Sequence, residues 1–160
     1  MRNPDFGPVE IIDFPATAVA ALMHCGDPAT LGVSIQQFIA WRKQHALPPS
    51  RSATFNVFYD NPETTAPEQF RLGLCAATTQ TIDPNPQGVT AQVLPAGRCA
   101  RLRLIGPDEL LSNAARYLYL DWLAASGEEL RDFPLFAQRI TLFPDVPEHE
   151  VITDLFLPLR

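Results

Sequence analysis

The chain has 160 residues, of which 46% are hydrophobic and 19% charged, and its formal net charge at pH 7 is −6. This length suffices for one domain with its own core, and no stretch approaches the roughly 20 apolar residues of a membrane-spanning helix. The acidic balance opposes attraction to nucleic-acid phosphates, which depends on Lys and Arg. We therefore expect a soluble cytoplasmic protein that does not contact a membrane and does not bind DNA by itself.

The three cysteines and the first residues exclude several further classes. Cys25, Cys75 and Cys99 form no CxxC pair and are odd in number, which argues against a zinc site and a disulfide framework. We expect them to be small buried apolar residues. MRNPDFGP has no apolar run behind it that could act as a secretory signal. No metal or other cofactor is predicted.

The first half begins with a strand that a proline interrupts, VEIIDFPATAVAALMH. Apolar residues then recur at helical spacing, which predicts a helix over about 28–46 that starts after Asp27 and stops at Pro48. TFNVFYD and FRLGLCAAT have the composition of strands. The stripe expected to face the core consists of Leu31, Ile35, Phe38 and Ile39.

TIDPNPQG, residues 81–88, has the composition of a linker, and the same order of elements follows it. VTAQVLPAGRCARLRLI is again a strand interrupted by a proline, and residues 94–106 align with 14–26. A second helix is predicted over about 108–125, ending at Gly127, before the strands LFAQRITLF and VITDLFLPL. Its apolar stripe consists of Leu111, Ala115, Leu118 and Tyr119.

This duplication predicts an α+β fold of two strand-helix-strand-strand modules, about 8–80 and 88–160. Neither half covers its own sheet comfortably, so we expect one domain over 1–160 with pseudo-twofold symmetry, an antiparallel sheet and two long helices. A ligand cleft is expected between the modules.

The segment FYDNPETTAPEQFR, with the VEI opening, the HCG turn, the PAGRCA strand and the terminal DLFLPL, resembles the GyrI-like small-molecule-binding domain. The resemblance covers about residues 8–160. It implies an effector-binding domain of an AraC-type transcription regulator that senses a small organic ligand. DNA would then be bound only through a fused helix-turn-helix domain absent from this chain, and MRNPDFGP would be the remainder of a linker. The resemblance also allows a free-standing protein that modulates DNA gyrase or sequesters toxic compounds.

The resemblance further implies a ligand motif, PxFExY, whose buried Glu selects cations. The matching run here is PLFAQR, residues 134–139, so Ala137 replaces the acid and Arg139 the tyrosine. Side chains alternate along a strand, which places 137 and 139 on one face. We therefore hypothesise a neutral or anionic ligand. The structural alternative is that Arg139 pairs with Glu148, Glu150 or Asp154.

Other candidate residues come from the duplication and from residue type. Asn56 and Phe58 are the repeat mates of Ala137 and Arg139, so pseudosymmetry would place them beside the same cleft. His24 ends the first strand, where it could instead be only a hydrogen-bonded structural residue. Trp41 and Trp122 lie on or beside the helix stripes and could be core. The predicted ligand-binding set is His24, Asn56, Phe58, Trp122, Phe136, Ala137 and Arg139.

No catalytic motif stands out in the sequence. GxSxG, a phosphate loop and HExxH do not occur. General acid/base chemistry needs an ionisable group at the substrate, and Ala137 stands where the resemblance implies that acid. We therefore predict a binding protein rather than an enzyme, with hydrolysis of electrophilic small molecules as an alternative. Both a monomer and a dimer are compatible with the sequence.

Overall fold

A computed structural model of the chain describes residues 6–160 and shows two compact units. The central unit is Ala16–Pro95, and the terminal unit combines residues 6–15 with Ala96–Arg160. Each unit contains four antiparallel strands and one long helical segment. The predicted α+β class with a duplicated module is confirmed. Residues 1–5 of the expected linker lie outside the described part.

The strands are β1 (Val9–Phe14), β2 (Thr17–Cys25), β3 (Thr54–Phe58), β4 (Arg71–Ala77), β5 (Thr90–Leu94), β6 (Gly97–Ile105), β7 (Phe136–Arg139) and β8 (Ile152–Pro158). The helices are α1 (Leu31–Gln44), α2 (Leu110–Arg116) and α3 (Leu123–Ser126), and a π-helical segment (Tyr117–Trp122) joins α2 to α3. In the central unit the strand order is β3-β4-β2-β5. In the terminal unit it is β1-β6-β8-β7.

The interrupting prolines separate strands that belong to different units. β1 pairs with β6 in the terminal unit, whereas β2, directly after Pro15, pairs with β4 and β5 in the central unit. Pro95 separates β5 from β6 in the same way. Proline fixes φ and cannot donate to a sheet ladder, so the chain turns away there. The compact units therefore differ from the sequence halves by an exchange of these first strands.

The predicted apolar stripe of α1 is only partly buried. Phe38 packs in the core of the central unit, but Ile35 and Ile39 remain 37% and 39% exposed. Trp41 and Arg42 are buried instead, because α1 turns the 38–41–42 side towards β2 and β4. The expectation that Ile35 and Ile39 are core residues is thus wrong. On the second helical segment Leu118 is buried and Tyr119 is partly exposed.

The helix ends agree with the sequence. The Asp27 carboxylate accepts a hydrogen bond from the Ala29 N–H at 2.9 Å, at the 3-10 turn that leads into α1. α3 ends at Gly127, whose φ of 75° lies in the left-handed region that glycine adopts without strain. Among residues 6–160 no helix has the length and apolar character needed to cross a membrane. The same residues contain no group of three potential metal ligands.

Arg42 is a buried cation held by neutral acceptors. Its guanidinium donates to the Leu47 carbonyl at 2.7 Å, the Ser52 carbonyl at 2.8 Å and the Thr54 hydroxyl at 2.8 Å. Burial lowers the pKa of this guanidinium, although arginine stays charged in proteins. Three hydrogen bonds in a forked geometry offset part of the desolvation cost and fix the loop between α1 and β3.

Replacing Arg42 should therefore destabilise the protein. We expect Arg42→Met to lower the free energy of unfolding by about 2–4 kcal/mol, because it leaves buried carbonyls without donors. The neighbouring Lys43 is exposed, so Lys43→Met serves as the matched control and should change stability by no more than about 0.5 kcal/mol. Urea unfolding followed by circular dichroism measures both. Equal effects of the two variants would contradict this role for Arg42.

The three cysteines differ in accessibility. Cys75 and Cys99 are buried as expected, but Cys25 is exposed, because it lies at the end of β2. Burial raises the pKa of the Cys75 thiol to about 12. Burial also raises the pKa of Cys99, against an opposing effect of the nearby Arg131. The thiolate is the reactive form, so burial protects both thiols from alkylation.

Iodoacetamide at pH 8 should accordingly modify the native protein at one site, Cys25. Cys75 remains protonated far above this pH because its pKa is raised, and Cys99 is buried. After unfolding in guanidinium, all three thiols should react. Intact-mass spectrometry and peptide mapping count and locate the modifications. Rapid labelling of Cys75 in the native protein would show that β4 is more accessible than described.

Candidate functional site

Three predicted site residues lie on one face of the central sheet. β4 aligns His24 and Phe58 with Leu72, and Asn56 with Leu74. Leu72 and Leu74 belong to the core cluster beneath α1, and Phe58 is partly buried against it. His24, Asn56 and Phe58 therefore share the helix-covered face of this sheet. The register thus agrees with grouping these three residues, and their role in binding stays a prediction.

His24 connects the end of β2 to the start of α1. It is buried, and its Nε2 lies 3.2 Å from the Gly26 carbonyl and 3.1 Å from the Asp27 carbonyl. Carbonyl oxygens only accept hydrogen bonds, so Nε2 carries a proton. Nδ1 lies 2.7 Å from the Ser34 hydroxyl. This arrangement matches the structural alternative for His24, in which the ring is held by hydrogen bonds.

The PLFAQR run lies in and just before β7. Ala137 and Arg139 align with Leu155 and Thr153 of β8 and share one face, as strand alternation predicts. Ala137 is completely buried. Phe136 points to the opposite face, where its ring packs 4.9 Å from Phe14 and 5.1 Å from Phe156 between centroids. Phe136 and Ala137, although adjacent in the predicted set, thus have different surroundings.

The expected ion-pair partners of Arg139 are wrong. Its Nη1 lies 2.7 Å from the Asp108 carboxylate and 3.5 Å from the Thr153 hydroxyl. Asp154 is bound instead by Arg103, at 2.8 and 3.0 Å. The reason is alternation, since Asp154 aligns with Gln138 and so lies on the opposite face from Arg139. Glu148 and Glu150 lie in an exposed 3-10 turn.

The sequence analysis did not select Asp108, which pairs with the predicted site residue Arg139, or Tyr119. Asp108 precedes α2, and Tyr119 lies in the π-helical segment. Burial raises the pKa of the Tyr119 phenol, and a hydrogen bond with the Leu135 backbone acts in the opposite direction. The Asp108–Arg139 ion pair links the turn before α2 to β7. In the sequence, residue 108 only marks the start of the predicted second helix, and Tyr119 only belongs to its apolar stripe.

The two tryptophans have different environments. Trp41 is buried, stacked on Phe38 and His45 with ring centroids 6.0 and 4.1 Å away. The core interpretation is therefore confirmed for Trp41. Trp122 is half-buried at the end of the π-helical segment. Its predicted place among the ligand-binding residues stays a prediction.

Comparison with known proteins identifies relatives along nearly the whole chain. The family model described as "GyrI-like small molecule binding domain" matches residues 7–160. The chain is 40% identical over 152 residues to the probable transcriptional regulator YgiV of Escherichia coli K12, covering 94% of this chain and 95% of that protein.

Solved structures share the fold at low sequence identity. The EcmrR C-terminal domain superposes with a TM-score of 0.76 at 17% identity, covering 96% of this chain and 97% of that one. This chain also superposes on EcmrR in a DNA complex, with a TM-score of 0.75 at 18% identity. The match covers 96% of this chain and 57% of the EcmrR chain. A protein from Listeria innocua named as a hydrolase has a TM-score of 0.61 at 12% identity, covering 95% of this chain and 91% of that one. At such identities these structures show the fold alone. The family match and the YgiV relative show that the chain belongs to the GyrI-like small-molecule-binding domain family.

Proposed function

We propose that this chain is the effector-binding domain of a bacterial transcription regulator of the AraC type and senses a small organic ligand in the cytoplasm. The observation that carries the proposal is the family match over residues 7–160, combined with 40% identity to a probable transcriptional regulator. Ligand binding would favour one of two conformations of the domain, and the regulator would respond to that shift. The proposed candidates for ligand contacts are the predicted residues His24, Asn56, Phe58, Trp122, Phe136, Ala137 and Arg139.

DNA binding is proposed to belong to another domain. The chain carries a net charge of −6, and phosphate contacts need Lys and Arg to release counterions. The match to EcmrR in its DNA complex leaves a large part of that protein uncovered. A fused helix-turn-helix domain is the proposed source of DNA contacts.

We further propose that the domain binds its ligand without transforming it. A structural neighbour is named as a hydrolase, but that likeness concerns the fold. At the position where the family resemblance implies a pocket acid, this chain has Ala137, which is fully buried and apolar. A methyl group cannot transfer a proton. An alanine at position 137 therefore favours binding over hydrolysis.

Ligand binding should be visible as thermal stabilisation. We expect at least one compound from a panel of neutral, anionic and cationic aromatic molecules to raise Tm by about 5–10 °C at about one hundred times its Kd. Differential scanning fluorimetry provides the screen, and isothermal titration calorimetry provides Kd. A folded protein that no class of compound stabilises would refute the proposed function.

The proposed location of the ligand is tested by a matched pair of variants. Phe58 belongs to the proposed set, whereas Phe133, equally half-buried, does not. We expect Phe58→Leu to weaken binding of the ligand found above by about three- to tenfold, the range of one aromatic contact. Phe133→Leu should leave Kd unchanged. Equal effects in calorimetry would place the ligand away from Phe58.

The isolated chain should not retard DNA on a native gel at about 0.15 M salt, because its acidic surface gains little from counterion release. The relevant probe is the promoter region of the gene that encodes the protein, with random DNA of equal length as the control. Specific retardation by this chain alone would contradict the assignment of DNA binding to another domain.

A further inference from the structure

β5 is an outer strand of the central unit. It pairs with β2 along residues 17–21, and β2 is its one strand neighbour among residues 6–160. The first four residues of β5 are exposed, and Val93 is 59% exposed. A strand with a single neighbour directs part of its backbone N–H and C=O groups to solvent. The free edge of β5 is therefore a hydrogen-bonding surface that another strand can reach.

Hydrogen bonds at both ends of β2 show which of its residues point towards β4. The Ala18 carbonyl accepts a hydrogen bond from the Thr78 N–H at 3.0 Å, and the Gly26 N–H donates to the Phe70 carbonyl at 2.9 Å. Both pairs continue the register of β2 with β4. Backbone groups of successive strand residues point in opposite directions. The even-numbered residues of β2 therefore bond to β4, and the odd-numbered residues point towards β5.

On β5 the same alternation separates inward from outward backbone groups. Thr90, Gln92 and Leu94 lie opposite odd-numbered residues of β2, so their N–H and C=O groups bond to β2. Ala91 and Val93 lie opposite even-numbered residues. Their N–H and C=O groups therefore point away from β2, towards the free edge.

This free edge is short and closed at both ends. Before it, the Asn85 side chain accepts a hydrogen bond from the Val89 N–H and donates one to the Val89 carbonyl, both at 2.9 Å. After it, Pro95 has no N–H to donate. Within residues 6–160, the outward groups of Ala91 and Val93 form no hydrogen bond with another residue. The open edge thus consists of these two residues.

The open edge is symmetric about Gln92, which makes it complementary to a second copy of itself. When two β5 strands run antiparallel with Gln92 opposite Gln92, Ala91 of each copy lies opposite Val93 of the other. Each of these two pairs exchanges two hydrogen bonds, so every outward group of both strands is satisfied. β5 carries no charged side chain, so no like charges meet across the pair. An outer strand of the terminal unit, β1, carries Glu10 and Asp13 instead, and such charges oppose strand addition.

We propose that this chain forms a twofold symmetric homodimer in which two β5 strands pair antiparallel, centred on Gln92. Closed homodimers use one self-complementary surface, and the open edge of β5 is such a surface. The side chains of Ala91 and Val93 meet on one face of the joined strands, and the two Gln92 amides meet on the other. Because the contact is short, the dimer is weak, with a dissociation constant on the order of 10 µM. The inference goes beyond the proposed function and does not depend on the ligand.

The first test measures self-association of the purified chain by sedimentation velocity over about 1–200 µM, a range that brackets the expected dissociation constant. Val93→Lys should weaken the dimer by about tenfold or more, because lysine on an edge strand opposes pairing. Val33→Lys is the matched control, since Val33 is 63% exposed on α1 and the change adds the same charge. It should leave the dissociation constant unchanged.

A second variant tests the backbone contact itself. Ala91→Pro removes an outward N–H from each copy and leaves the bonds between β5 and β2 in place, because proline is tolerated where the strand N–H faces solvent. We expect a folded monomer over the same concentrations. Circular dichroism checks the fold of each variant, and if Ala91→Pro does not fold, Val93→Lys carries the test.

Cysteine cross-linking tests the register. In a Cys25→Ser background, Gln92→Cys places two thiols at directly opposed positions whose Cα atoms are about 4.5 Å apart, within the range of a disulfide. Thr90→Cys lies on the same exposed strand, but its two copies are about 14 Å apart in this register. Under mild oxidation, Gln92→Cys should form a disulfide-linked dimer about tenfold faster than Thr90→Cys on a non-reducing gel.

Three outcomes would overturn the inference. They are a monomer at every concentration, a dimer that Ala91→Pro and Val93→Lys leave unchanged, and equal rates of cross-linking for Gln92→Cys and Thr90→Cys. A monomer whose Tm still rises with a panel compound would overturn the dimer and leave the proposed function intact. A dimer that no compound stabilises would refute the proposed function and leave this inference standing.

Discussion

The alternation of side chains along the antiparallel strands of both units is the constraint on which the other contacts depend. In each unit it divides the strand residues between a face that packs under a helix and an opposite face. His24, Asn56 and Phe58 share the helix side of the central sheet with core leucines. In the terminal unit the same alternation places Arg139 on one face of the strands and the Arg103–Asp154 pair on the opposite face. A shift of one residue in either register would exchange these sets.

The features that depend on local sequence patterns, such as helix positions and strand faces, could be predicted from the sequence. Helical spacing, Asp27 at a helix start and Gly127 at a helix end located both helical segments to within a few residues. The repeat predicted the duplicated α+β architecture. Alternation also placed Ala137 and Arg139 together, because the period of a strand is fixed by its backbone geometry.

Contacts between distant segments were harder to predict. The partner of Arg139 was sought among acids near in sequence, but Asp108 comes from the turn before a helix. The rotation of α1 buries Trp41 and Arg42, and the Arg42 guanidinium needs the acceptors that Leu47, Ser52 and Thr54 supply. An apolar spacing shared by Ile35 and Ile39 cannot reveal this, since a helix with several apolar sides has no unique orientation. The prolines indicated where the strands are interrupted, but they did not indicate which unit each strand belongs to.

The exchange of the first strands has a consequence for how such a protein could arise. β1 precedes β2 in the chain yet pairs with β6 in the terminal unit, and β5 precedes β6 yet pairs with β2 in the central unit. A solitary ancestral module with this connectivity would leave its first strand without a place in its own sheet. Two identical copies could complete each other's strand pairing by exchanging that strand. Gene fusion would then have joined subunits that were already interdependent, and neither copy could later be lost alone.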